Sequence, residues 1–195
     1  MIKDLVKANR SVRGYDHSYK VKEEDLIDLV DCARLTASSI NKQPLKYYIA
    51  DSEEDVAVLR SSTRLGALLP NRKLPDKGKE PTAYIVILQD KKISESYFAF
   101  GNDVGIAAQT ITLAATEKGL SACMIGNINE ERIQLALNLP DRYRIRLVIA
   151  IGKSAEEIHL VEIDNGENTA YYRDENDVHY VPKRKLNDII INKEV

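Results

Sequence analysis

The sequence predicts an α+β fold, and three observations carry that reading. Helical and strand-type segments mix without the strict rhythm of βαβ units, which argues against a doubly wound parallel sheet. Residues 83–88 and 121–125 are short apolar runs of buried-strand type, and residues 144–151 predict a further core strand. Between the first two lies a helical stretch, residues 102–120, with no charge from Val104 to Thr116. A helix so lacking in a polar face needs cover on nearly all sides. It is too short, and too rich in Thr and Gln, to span a bilayer. The chain has 195 residues, the size of one domain with a sizeable core.

Taken in order, Ile2, Leu5 and Val6 predict a first short helix over 3–9. A turn-like arm follows, Arg10-Ser-Val-Arg13-Gly-Tyr15-Asp16. Leu26, Leu29, Val30 and Ala33 share one face of a helix over 23–35 with acids in its first turn. A polar loop, Thr36-Ala-Ser38-Ser39-Ile-Asn41-Lys-Gln43-Pro44, leads into a strand over 46–50. Ser52-Glu-Glu-Asp55 has the form of a capping box for a helix through Leu59. Residues 66–80, with two prolines, two glycines and many cations, predict a mobile loop suited to a lid or access channel. Gly119 predicts a left-handed stop to the uncharged helix. Asn129 caps a helix carried by Ile133, Ala136 and Leu137 and ended at Pro140. From about residue 160 the chain becomes turn-rich with apolar ends. It is expected to wrap over something as a tail of the same single domain, spanning 1–195, rather than to form a domain of its own.

The small residues of the uncharged helix, Gly105, Ala107, Ala108, Ala114 and Ala115, would let a second helix come close, and a second copy of the chain could supply that cover. A formal net charge of −2 gives no global pull toward nucleic acid or anionic membrane, so any phosphate site must be local. Cys32 and Cys123 sit in apolar settings, as expected of buried thiols in a reducing cytoplasm. Met1 leads directly into a charged amphipathic segment, so neither a leader nor a transmembrane run is expected. His17, His159 and His179 lack ligand spacing, so no metal is expected.

Three patches could hold a ligand. Arg10, Ser11 and Arg13 join guanidinium and hydroxyl groups, which suit a phosphate monoester. Lys183, Arg184 and Lys185 form a second cationic group. Ser38, Ser39, Asn41 and Gln43 offer uncharged donors and acceptors of the kind a planar polar heterocycle needs at its edge. Alone, each patch is also what an ordinary solvated turn looks like.

In order along the chain, however, these segments resemble the nitroreductase family of FMN-dependent oxidoreductases. Arg10-Ser-Val-Arg13-Gly-Tyr15 is similar to its N-terminal Arg-Ser-x-Arg-x-aromatic motif. Ala37-Ser38-Ser39-Ile-Asn41-Lys-Gln43-Pro44 resembles its Pro-Ser-Ser-x-Asn-x-Gln-Pro loop. Asp103-Val-Gly105-Ile-Ala-Ala-Gln109 resembles its central helix. Ser121-Ala-Cys-Met-Ile125-Gly126 resembles its flavin-side strand, and Pro182-Lys183-Arg184-Lys185-Leu186 its C-terminal basic motif.

The resemblance implies a central mixed or antiparallel sheet flanked by helices, a long buried central helix and an extended C-terminal tail. It implies a homodimer with FMN sites between subunits, the tail wrapping the partner. Arg10 and Ser11 would hold the FMN phosphate and ribityl region, with two of the three cations Lys183, Arg184 and Lys185 reaching the same phosphate. Arg13 would lie by the pyrimidine edge, where a fixed cation stabilises the charge left by reduction. Ser38, Ser39, Asn41 and Gln43 would approach the ring, and the backbone N–H of Ile125 or Gly126 would face flavin N5. No catalytic acid or base is implied, because the flavin performs the chemistry.

The implied reaction passes hydride from NADH or NADPH to a small-molecule acceptor, such as a nitroaromatic or quinone, by ping-pong exchange. Dehalogenation, azoline oxidation and flavin fragmentation are other chemistries of the same superfamily, and a low-turnover flavin carrier or sensor is an alternative of another class. Two departures affect the pocket: Ala37 replaces the usual proline, and Leu45 stands where an aromatic residue is common. The chain has no tryptophan. Tyr15, Tyr47, Tyr97, Phe98 and Phe100 are the aromatic side chains left to stack on a ligand or to pack.

Overall fold

A computed structural model describes residues 1–66, 68–69 and 72–193. The chain divides into two compact units, one of residues 1–65 and 73–155 and one of residues 66–72 and 156–195. The first contains α1 (Ile2–Ala8), α2 (Glu23–Arg34), β1 (Leu45–Ala50), α3 (Glu53–Ser62), β2 (Ala83–Asp90), α4 (Gly101–Glu117), β3 (Ser121–Ile125), α5 (Glu130–Ala136) and β4 (Tyr143–Gly152). The second contains β5 (Ile158–Ile163), β6 (Tyr172–Arg173) and β7 (His179–Arg184).

In the first unit four strands form an antiparallel sheet in the order β1-β2-β4-β3. Alternate side chains leave a strand on opposite faces, and both faces of this sheet are covered. On one face Ile85 and Ile87 of β2 and Ile149 and Ile151 of β4 share a core with Leu26 and Leu29 of α2 and Val104, Ala107, Ala108 and Ile111 of α4. Tyr84, Val86, Val148 and Ala150 alternate with them and are buried too, as are Leu59 of α3 and Ile133 of α5. Each buried Ile or Leu contributes about 1.5–3 kcal/mol.

The elements expected from the sequence form within a few residues of their expected bounds, and their end signals act as anticipated. Ser52 accepts the Asp55 N–H at 3.1 Å, and Asn129 accepts the Arg132 N–H at 3.0 Å. Gly119 takes a φ of 73° after α4, and the Leu120 N–H closes back onto the Ala115 carbonyl at 2.8 Å.

The uncharged helix α4 is covered on only part of its circumference within one chain. Asp103, Val104, Ala107, Ala108, Ile111, Thr112 and Ala115 are buried. Asn102, Gly105, Ile106 and Gln109 form an exposed stripe at helical spacing. Among the described residues, no helix is long and apolar enough to cross a membrane.

The expected loop over 66–80 includes positions 67, 70 and 71, which lie outside the described residues. At its middle, Leu74 is buried and bridges Leu65.

The sequence predicts no strands beyond residue 152, but the second unit builds a three-stranded sheet. β7 is its centre, parallel to β5 and antiparallel to β6. Pro182 lies beyond the last β7 residue that β6 pairs, where the strand has an open side. Charge and aromatic rings dominate the rest. Arg173 bridges Glu156 and Asp177, and Arg72 pairs with Asp177 as well. His159, Tyr180 and Tyr172 stand in register across the three strands. Tyr172 and Tyr180 are stacked at 5.1 Å.

Candidate functional site

The arm after α1 is fixed by backbone pairing. Ser11 bridges Ala122 in parallel with the outer edge of β3, and the Val12 N–H donates to the Ala122 carbonyl at 3.2 Å. Further on, the Tyr15 N–H reaches Lys79 and the Asp16 N–H reaches Lys153. The Tyr15 ring is fully buried, and its hydroxyl donates to the Val12 carbonyl at 2.8 Å. The ring lies so close to Gly152 that a Cβ there would meet Tyr15 Cδ1 at 2.8 Å. Tyr15 is therefore a packing residue that clamps the arm, one of the two roles its sequence allowed.

This arm presents Arg10, Ser11 and Arg13 beside the strand that ends in Ile125 and Gly126. Arg13 donates to the Ser11 carbonyl at 3.1 Å. Arg10 donates one N–H to the Val6 carbonyl at 2.7 Å, while its Nε is buried with no hydrogen-bond partner. Desolvation holds the Arg10 guanidinium below its usual pKa. A half-buried cation gains from an anion at its accessible side. Its chemistry fits a phosphate. Gly126 adds open space, since a Cβ there would meet nothing within 4 Å.

The second patch sits elsewhere in the same unit. The Ser38–Gln43 loop enters β1, at the opposite edge of the sheet from β3. Three strand spacings separate those edges, about 14 Å at roughly 4.8 Å each. One chain therefore groups Arg10, Ser11 and Arg13 with Ile125 and Gly126. It groups Ser38, Ser39, Asn41 and Gln43 separately.

The loop is conformationally demanding. Ile40, Asn41 and Gln43 all take left-handed φ values, 48°, 53° and 51°. Asn tolerates this region, but a β-branched residue there is an outlier. Such strain costs on the order of 1–3 kcal/mol per residue and clusters at ligand sites.

Asp103, in the first turn of α4, secures this loop. Its carboxylate accepts the Ser38 hydroxyl at 2.6 Å and the Ser39 N–H at 3.1 and 3.2 Å. The Gln43 N–H donates to Ser38 Oγ at 3.0 Å, and Gln43 Nε2 donates to Asn41 Oδ1 at 3.0 Å. Behind the loop lies a cleft of about 260 Å³ whose lining includes Ala33, Ser38, Gln43, Lys46, Tyr47 and Asp103. Burial and then Asp103 raise the pKa of the Tyr47 phenol above its usual value. Asp103 is not among the site residues that the sequence predicts. Its one signal was an acid heading a helix that is otherwise uncharged through Thr116.

The third patch belongs to the second unit. Lys185 pairs with Asp164, and Arg184 donates to Asn165 Oδ1 at 3.2 Å. Lys183 makes no hydrogen bond or ion pair among the described residues. Of the remaining aromatic candidates, Phe100 is buried, whereas Tyr97 and Phe98 are exposed beside each other. Arg146 lies over the Tyr97 ring at 4.1 Å.

Comparison with known proteins gives a consistent result. A model of the nitroreductase family matches residues 6–153. Bacillus subtilis (strain 168) YodC, provisionally named an NAD(P)H nitroreductase, is 27% identical over 183 residues, covering 80% of this chain and 91% of its own. An FMN-dependent nitroreductase from Clostridium difficile R20291 superposes with a TM-score of 0.64 at 28% identity, covering 80% of this chain and 89% of that one. A provisionally named nitroreductase from Exiguobacterium sibiricum 255-15, solved in complex with FMN, shares the fold with a TM-score of 0.68 at 21% identity, covering 80% and 89%.

Proposed function

Because this chain belongs to the nitroreductase family, we propose that it is an FMN-dependent NAD(P)H oxidoreductase reducing a nitroaromatic, a quinone or a similar small acceptor. The half-buried guanidinium of Arg10, held on the arm that pairs with β3, is the observation that carries the reading, because it offers a cation where the family's phosphate would lie.

When bound, FMN supplies a two-electron carrier that takes hydride from a nicotinamide and passes it on. The chain's own residues bind and tune it. Arg10 and Ser11 would hold the phosphate and ribityl region, joined by Lys183 and the neighbouring Arg184 and Lys185. Lys183 is the best suited of the three, since its neighbours already have partners. Arg13 would set a fixed positive charge at the pyrimidine edge, and preorganised charge of this kind favours the reduced cofactor. Ile125 and Gly126 would border the reactive edge near N5. Ser38, Ser39, Asn41 and Gln43 would meet the ring.

The arm and this loop lie at opposite edges of one sheet, so a homodimer would complete the site by lending the partner's loop. The exposed Gly105, Ile106 and Gln109 stripe of α4 supplies a face for such pairing. The tail of residues 160–195 would wrap the partner. Nicotinamide and acceptor would use one site in turn, which gives ping-pong kinetics. The apolar settings of Cys32 and Cys123 suit thiols in a reducing cytoplasm.

The purified protein should be yellow and should bleach with NADH or NADPH in the absence of oxygen. A yellow protein that never bleaches would instead be a flavin carrier or sensor. Arg10→Ala should release most of its flavin on gel filtration. Full flavin content in that variant would remove the phosphate assignment.

A further inference from the structure

We propose that Asp103 is a positioning residue for the flavin, its buried carboxylate holding the Ser38–Gln43 loop in the left-handed form that receives the ring. The inference rests on the FMN reading above and deepens it.

Beyond two turn bonds of its own, from the Asn41 N–H to the Ser38 carbonyl at 2.9 Å and from the Lys42 N–H to the Ser39 carbonyl at 3.0 Å, little else in the same unit holds the loop in this form. Ile40 is 88% exposed, so packing does not fix its φ of 48°. The cleft lined by Ser38, Gln43, Tyr47 and Asp103 leaves the loop without a packed floor on that side. What remains is a hydrogen-bond relay. Asp103 receives Ser38 and Ser39, Ser38 receives the Gln43 N–H, and Gln43 reaches Asn41.

Asp103 is itself well fixed. It is 4% exposed and lies at the third residue of α4, where the helix dipole favours a negative charge. A carboxylate suits this post because it only accepts, and both groups that meet it donate. An amide in its place would turn a donor toward one of them. With that bond lost, Ile40 would relax toward negative φ, carrying Asn41 and Ser39 away from the ligand-facing geometry.

The test follows FMN release from the loaded protein by flavin fluorescence on dilution, alongside thermal melting. Asp103→Asn should weaken FMN retention on the order of ten- to a hundredfold. Ile40→Asn, which eases the left-handed backbone, should restore most of that loss when added to Asp103→Asn. A residue needed only for folding would not be rescued by a substitution on an exposed loop.

Unchanged FMN retention in Asp103→Asn overturns the proposal while leaving the FMN reading intact. So does a loss that Ile40→Asn fails to recover together with a collapsed melting temperature. An unsubstituted protein that holds no FMN overturns both.

Discussion

Every one of the eight residues of β2 is buried, whereas none of the six residues of β5 is. The two sheets of this chain therefore hold together by different means. In the four-stranded sheet, Ile85, Ile87, Ile149 and Ile151 meet apolar helix faces, and the stabilisation is non-directional burial. In the three-stranded sheet, the interior includes an Arg173–Glu156 pair whose side chains are 7% and 4% exposed. Its outer strands are tied to β7 by a row of aromatic rings. Burial tolerates small changes of shape, but a buried ion pair must be kept whole. Replacing one partner leaves the other charged and uncompensated.

The sharpest way to break this contrast is Arg173→Ala. It should cost about 3–5 kcal/mol of local stability. Hydrogen exchange should then speed up in β6 and β7 while β2 and β4 remain protected. Equal loss of protection in β2 would mean that the two units are not separately held.

Next in size is Ile87→Ala, which opens a cavity in the apolar sheet and should cost about 2–5 kcal/mol. Urea unfolding followed by hydrogen exchange should put that loss in β2 and β4.

The smallest expected effect is with acid. Arg72 first, and then Arg173, hold the Asp177 carboxyl down to about 2, from an ordinary 3.8. A lowered carboxylate pKa contributes stability that is complete above the unfolded value and is lost as pH falls from 3.8 toward 2. Protection of β6 and β7 should decline in that window, and Asp177→Asn should flatten the decline.

The same contrast explains what the sequence made legible. β2 reads directly as a strand because a continuous apolar run has few alternatives, and β4 follows from the apolar stretch of residues 147–151. α4 was legible from its missing charges, and α3 and α5 from Ser52 and Asn129 at their starts. The strands of the second unit were hidden because their partners are distant and their residues mostly polar. Ile158 pairs with His179, and β6 has only two residues. The ligand motifs were legible as motifs, but their anchoring was not. Asp103 meets Ser38 across 65 positions of chain. Nothing local in either segment encodes that bond. The left-handed φ of Ile40 was equally invisible, since propensity assigns isoleucine to the opposite region.

The parallel bridge between Ser11 and Ala122 has a bearing on solubility. β3 is the last strand of its sheet on that side, and Ala122, Cys123 and Ile125 are its buried residues. Unpaired amides along such a rim invite other chains to add themselves. The segment bearing Arg10 thus doubles as a guard rail for the rim. A substitution that detaches this segment from β3 should therefore show itself as precipitation during purification.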